Sequence, residues 1–518
     1  MPTPFLDAIR RHAVAEPERP SLSVGEVTLT RAELVAAVER VAAVFAERGV
    51  GEGAWVTLVL PNGIEFVEAA LAAWLLGATP QPISRRLPPG ERAAIIALAD
   101  PALVVVAETA GAAETAETAG TAETAETAET AETAETVEAP EAARRPTLTA
   151  ADITRVANDP SARRHEDAAV TSPEWKVVTS GGSTGRPKLI VATSPADADA
   201  LVGLGTLLRL RPDGATLVTG PMSHNAPYVA MIAALLLGNH VVVMPRFDAA
   251  ETLRLVERHG IDWLYLVPTM MLRIWRLPEQ ERLGNDLSSL RVAFHMAAPC
   301  APWLKSEWIG WLGPEKILEL YGGTELQAMT VITGTEWLEH EGSVGKAVIG
   351  EIECRDPDGA PLPPRAVGEL WMRRGGAAAI PYRYVGASAK SAGDNWESLG
   401  DIGFLDEDGY VYVTDRDTDM ILVGGENVYP AEIEAALDEH PAVCSSCVIG
   451  LPDDELGAVP HALVELGADV TDDELLAHVR TRLEPIKVPR SIERVDSALR
   501  DDAGKVRRSA LRAERVRG

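Results

Sequence analysis

Between Val177 and Val191 the chain reads VVTSGGSTGRPKLIV, placing four hydroxyl side chains, three glycines, an arginine and a lysine between two apolar, β-prone runs. A loop of this composition has little to bury. It offers an anion free backbone N–H groups, hydroxyls and fixed positive charge, and a polyphosphate is the ligand whose chemistry fits. A Walker A loop would open a helix and carry Ser or Thr directly after its lysine. Here Lys188 is followed by Leu-Ile-Val, so the segment reads as strand–loop–strand and a P-loop nucleotidase is disfavoured.

Four further stretches follow in order. They are ELYGGTELQ from Glu319 to Gln327, GDIGFLDEDGYVYVTDR from Gly400 to Arg416, GGENVYPAEIE from Gly424 to Glu434, and AGKVRR from Ala503 to Arg508. With the first loop they resemble the adenylate-forming superfamily of acyl-CoA synthetases, adenylation domains and luciferases, over nearly the whole chain. The resemblance implies an α/β fold with a large N-terminal domain, residues 1–416, and a small mobile α+β domain, residues 417–518, hinged at Asp417. It also implies ATP, Mg2+ and CoA.

Roles carry over onto matching residues. Thr179, Ser180, Gly181, Gly182, Ser183, Thr184, Gly185 and Lys188 would wrap the β- and γ-phosphates. Tyr321 and Gly322 would lie along the nucleotide and Thr324 would contact the α-phosphate. Glu325 would ligate magnesium, a hard cation that takes carboxylate and phosphate oxygens. Asp401 would accept the ribose hydroxyls, with Arg416 beside it. Within FHMAAPC, Ala297, Ala298 and Pro299 would flank the adenine and the acyl pocket. Lys505 would bridge the substrate carboxylate and the α-phosphate as charge develops in the attack on phosphorus. Gly424 and Gly425 would pass the pantetheine arm in a second half-reaction. His224, in PMSHNAPY, would gate the substrate or CoA channel.

The chain departs from the family in three places: Asp415 precedes Arg416 where glycine is usual, Met296 replaces a common glycine, and no proline stands shortly before Lys505. No acid near His224 is placed to hold an ammonium group, which disfavours an α-amino acid. Met270, Met271 and Met296 would give a soft, apolar pocket for a hydrophobic or aromatic acid. HMAAPC, ELYGGTE and ISRRLPPGER look like a branch that holds bile-acid and steroid-acid CoA ligases, and also enzymes that adenylate nitrite to diazotise an arylamine. That second chemistry stays open here, as does a degenerate nucleotide-binding protein. Arg507 and Arg508 either balance surface charge or contact CoA phosphates.

The elements that must position these residues are legible in outline. The 518 residues exceed what one hydrophobic core usually holds. TRAELVAAVERVAAVFAERGV has helical periodicity with Thr30 as N-cap, AWVTLVL reads as a buried strand, and Asp408-Gly409 marks a hairpin turn. The formal net charge of -29, from 77 acids and 48 bases, argues against nucleic acid or an anionic membrane as partner. No stretch reads as a membrane span or a signal peptide, so a cytoplasmic enzyme of small molecules is expected, with a homodimer left open. The four cysteines fit a reducing compartment, and Cys444 and Cys447 read as half-buried residues on opposite faces of a strand. From Glu108 to Glu141 the chain is an Ala-Glu-Thr repeat with ten glutamates and no base. It lacks apolar bulk, so it reads as a solvated insertion that turnover does not need.

Overall fold

Trp263–Leu266 (WLYL) is buried at every position and His240–Val243 (HVVV) at every position after its first, the pattern of strands covered on both faces. They lie in the middle of a nine-stranded sheet. Its six central strands, Pro20–Val24, His240–Val243, Ala215–Val218, Trp263–Leu266, Val292–His295 and Ile317–Gly322, run parallel. Antiparallel strands close both edges: Val27–Thr30 on one side, Met329–Thr333 and Lys346–Ile349 on the other. The computed structural model describes residues 2–107, 145–180, 188–375, 380–416, 418–453, 455–501 and 504–516. The Ala-Glu-Thr insertion, residues 181–185 of the first loop and the hinge residue Asp417 lie outside this set.

A second sheet, Thr79–Pro82, Trp55–Val59, Leu103–Val106 and Thr147–Thr149, is parallel throughout. Helices Arg31–Glu47, Ile64–Leu75 and Asn225–Leu236 pack in the core shared with the first sheet, where Trp74 stacks on Tyr228 with ring centroids 5.6 Å apart. Thr30 caps the first of these helices in a reciprocal pair with Glu33, as its sequence leads one to expect.

Adjacent parallel strands release their following loops at one edge of the sheet, and that edge is where open α/β sheets bind ligands. Here the strands ending at Val218, Leu266, His295 and Gly322 deliver PMSHN, VPT, MAAPC and GTELQ to the same edge. A small antiparallel sheet, Val177–Ser180, Lys188–Ala192 and Tyr382–Val385, carries the Ser/Thr/Gly loop as the expected strand–loop–strand. In a further antiparallel sheet, Trp396–Leu405 pairs with Val411–Arg416 through a turn at Gly409, which sets Asp401 opposite Arg416.

The C-terminal domain is built on Ile421–Val423, Glu426–Val428, Val443–Asp453, Gly457–Leu466 and Ser491–Arg494, with its own core of Val428, Ile433, Leu437, Val464 and Leu475. Cys447 is buried there, Cys444 is half-buried and both are free thiols. Arg276 of the large domain crosses to the end of helix Pro430–Glu439, donating to the carbonyls of Asp438 at 2.7 Å and His440 at 3.3 Å. Arg507 pairs with Glu91 at 3.3 Å across the same boundary.

Candidate active site

Asp401 and Tyr321 come from different sheets and meet at the loop edge: the Tyr321 hydroxyl donates to Asp401 Oδ2 at 2.7 Å. The Arg416 guanidinium approaches the other oxygen at 3.3 Å, a contact that strand pairing preorganises. Asp401 is only 6% exposed, so its carboxylate is held by these partners more than by water. Burial, then the neighbouring Asp401 charge, raises the Tyr321 phenol well above its usual pKa and keeps it a donor.

Glu325 follows the same strand and is also 6% exposed. Its Oε1 accepts from the Tyr384 hydroxyl at 2.5 Å and faces Lys188 Nζ at 3.9 Å. Lys188 lies over the Tyr384 ring, 4.3 Å from its centroid, so one tyrosine orients both the acid and the base. Leu326 adopts φ 58°, and Arg374 holds its carbonyl at 3.0 Å, which fixes the tight turn after Glu325. Behind it, Gln327 and the Tyr382 hydroxyl donate to Glu397 at 3.0 and 2.9 Å. Thr179 Oγ1 is buried with no hydrogen-bond partner among the described residues, at the point where the Ser/Thr/Gly loop begins. Ser180 ends that strand, and Gly181, Gly182, Ser183, Thr184 and Gly185 lie outside the described residues.

Lys505 reaches this cleft from the C-terminal domain. Its N–H donates to Asp501 Oδ1 at 2.9 Å, and Asp501 N–H returns a bond to the Lys505 carbonyl at 2.9 Å. Gly504, at φ 76°, makes the turn possible, and a Cβ there would meet Thr269 Oγ1 at 3.1 Å. The left-handed backbone favours glycine, and the close approach to Thr269 adds to that preference. The lysine side chain is exposed to solvent, yet enough protein lies around its ammonium to desolvate it in part. That crowding and the Arg416 charge lower its pKa, and Asp501 and Glu325 partly restore it. The turn is anchored from below. Arg500 donates to the Gly504 carbonyl at 3.2 Å and to Glu434 at 2.9 Å, and Arg508 makes a bidentate bond to the same Glu434 and one to Asp419. Arg508 is therefore an internal anchor of the small domain.

The remaining expected residues divide. His224 is the N-cap residue of helix Asn225–Leu236, and Asn62 ties its loop by accepting from Met222 N–H at 2.8 Å and donating to the carbonyls of Gly220 and Met244 at 2.9 Å each. Ala297, Ala298 and Pro299 follow the strand Val292–His295 at the site edge, and Thr324 lies half-buried beside Glu325. The left-handed residue of the alanine loop is Ala297, φ 79°, one place beyond the Met296 that replaces the family's glycine. Gly322 ends its strand with a Cβ position 3.0 Å from the Ala328 carbonyl. Met270 and Met271 are core residues. Gly424 and Gly425, at φ 59° and 94°, form an exposed turn of the C-terminal sheet. Sequence reasoning missed Tyr384, Asn62 and Arg374, since none belongs to a motif and each acts across a long separation.

The residues present fit a magnesium-bound polyphosphate: one buried carboxylate, a lysine beside it and an orphaned buried hydroxyl. No group of three or more protein ligands that could cage a metal occurs among the described residues, so phosphate oxygens and water would complete the coordination of an ion at Glu325. Residues 9–380 match the AMP-binding enzyme family and residues 432–505 match the AMP-binding enzyme C-terminal domain.

The chain belongs to the AMP-binding enzyme family.

Two curated members are 31% identical to it. One is a dioxo-octahydro-indenyl propanoyl:CoA ligase of Rhodococcus jostii, aligned over 99% of each chain, and the other a feruloyl-CoA synthase of an Amycolatopsis species, aligned over 97% of each. Among solved members, the o-succinylbenzoate CoA synthetase of Bacillus subtilis with ATP and magnesium superposes with a TM-score of 0.76 at 25% identity, covering 97% of this chain and 98% of that one. The same enzyme carrying its acyl-adenylate gives 0.78, covering 99% and 98%. No helix of the described residues is long and apolar enough to cross a membrane.

Proposed function

We propose that this protein is a cytoplasmic acid–CoA ligase that adenylates a hydrophobic or aromatic carboxylate and then forms its CoA thioester. One carboxylate oxygen attacks the α-phosphorus of ATP and the bond to the β-phosphate oxygen breaks, releasing pyrophosphate. The CoA sulfur, having lost its proton, then attacks the acyl carbonyl and AMP departs. The carrying observation is the delivery of Lys505 by the small domain into the cleft of Glu325 and Arg416. An ammonium there would stabilise negative charge growing on the α-phosphate and orient the incoming acid.

In this reading Asp401 and Arg416 bind the ribose, and Tyr321, Gly322 and Thr324 lie along the nucleotide. Lys188, with Thr179 and the loop after it, holds the leaving phosphates. Magnesium at Glu325 would neutralise phosphate charge. The domains divide at residues 416 and 417, and rotation there would exchange Lys505 for the Gly424-Gly425 turn at the cleft, with His224 at the channel. The relatives named above are CoA ligases and lend no support to nitrite as the adenylated anion. The test is a mass-resolved assay with ATP and magnesium on aryl, steroid and fatty acids, each with CoA and, separately, with nitrite. AMP together with an acyl-CoA supports the ligase. A nitrite-dependent product without thioester would overturn it.

A further inference from the structure

Lys176 precedes the strand that leads into the Ser/Thr/Gly loop, and no role above uses it. It is 1% exposed, with its ammonium over the Trp175 ring at 4.6 Å from the centroid. Its one hydrogen bond among the described residues goes to Asn225 Oδ1, and no carboxylate of those residues lies in ion-pair range. A buried cation without a counter-ion is costly, and two of its three donors have no described acceptor.

Lysine can only donate, so this contact fixes the Asn225 amide: Oδ1 faces Lys176 and the Nδ2 donors turn away from it. Asn225 is half-buried and opens the helix Asn225–Leu236, directly after His224 on the loop edge that carries the site. The first turn of that helix has no acidic residue and no side-chain cap, so its positive end is uncompensated. A buried ammonium, an oriented amide donor and a helix N-terminus thus converge where the strand edge opens. Burial lowers the Lys176 pKa to about 7, and Glu325 pulls it back up. An arriving anion would pull further in that direction.

We propose that Lys176, Asn225 and the first turn of this helix form the receptor for the anionic group of the acid before it is adenylated. Asn225 touches the carboxylate, and Lys176 is a positioning residue that aims the amide and supplies positive potential from beneath. The assignment of that anion as a carboxylate rests on the ligase reading above.

The test is calorimetric binding of cinnamate and of its neutral isostere cinnamamide to the full-length protein, with MgATP binding measured in parallel. The wild type should prefer the acid at least ten-fold. Lys176→Met should cut that preference at least five-fold, what remains being due to Lys505, Lys176→Arg should lose less, and Asn225→Asp, which puts a carboxylate against Lys176 and removes the donor, should weaken cinnamate at least ten-fold. MgATP affinity should stay within three-fold throughout. No preference in the wild type, an undiminished preference in Lys176→Met, or equal loss of acid and MgATP would overturn the receptor. Should Lys176→Met not fold, Lys176→Arg and Asn225→Asp decide the matter by the same readings. A wild type that prefers cinnamate yet releases AMP with none of the assayed acids would sink the ligase reading and leave the receptor standing.

Discussion

Lys505 illustrates how a single charge is made useful by what holds it. A lysine near a chain end would ordinarily wander in solvent and lose rotamer entropy on every productive encounter. Here the bonds to Asp501, the left-handed Gly504 and the Arg500 contact beneath fix its backbone before any substrate arrives. Lys505→Ala should therefore cut adenylation by about a hundred-fold or more, as loss of a preorganised electrostatic group does. Transfer to CoA from a supplied acyl-adenylate should continue at near the wild-type rate. Equal loss in the two half-reactions, measured as pyrophosphate release and thioester formation, would remove the lysine from the role given to it. Glu325, Asp401, Arg416 and Lys505 could be read from the sequence because each occupies a short motif. Tyr384 could not: it reaches Glu325 only because Tyr382–Val385 pairs with Lys188–Ala192, nearly two hundred residues away.

At the scale of elements, the helix Ile64–Leu75 shows a cost inside the fold. Ten of its residues are buried, and one of them is Glu68, 3% exposed. Burial, with repulsion from Glu65, raises its pKa to about 8 against Arg40. The folded state thus holds a proton that the unfolded chain releases near 4.5. Its contribution to stability is fully present below that pH and is lost as pH rises through about 8, by at most about 1.4 kcal/mol per pH unit. Glu68→Gln removes the titration, so its melting temperature relative to wild type should climb between pH 5 and 9. A constant difference across that range would show that Glu68 does not carry the shift. The helices themselves were legible, since Thr30 and the apolar spacing after it mark one plainly. The acid within the core was not, because an isolated glutamate in a helical pattern gives no sign of which face it takes.

At the scale of the whole molecule, the sequence separates two domains but gives little sign of how they dock: Arg276 donates to backbone carbonyls at the end of helix Pro430–Glu439, and Arg507 pairs with Glu91 more than four hundred residues away. Topology also revises what can be done with the acidic insertion. The strands on either side of it, Leu103–Val106 and Thr147–Thr149, are parallel neighbours in register from Val104 opposite Thr147. Parallel neighbours need a connection that returns along the strand, about a dozen residues or more. Removing 108–141 outright leaves Ala107 and residues 142–146, which is six residues (one plus five). That deletion should unpair Thr147–Thr149, and with it lose the Thr149 cap of helix Ala150–Ala157 and the burial of Leu148 and Ile153. Exchange of 108–141 for a Gly-Ser linker of about a dozen residues should leave both melting temperature and AMP release unchanged, whereas outright deletion lowers the first. A linker variant with unchanged melting but a kcat or KM altered more than about three-fold would assign the repeat a part in turnover that its composition does not suggest.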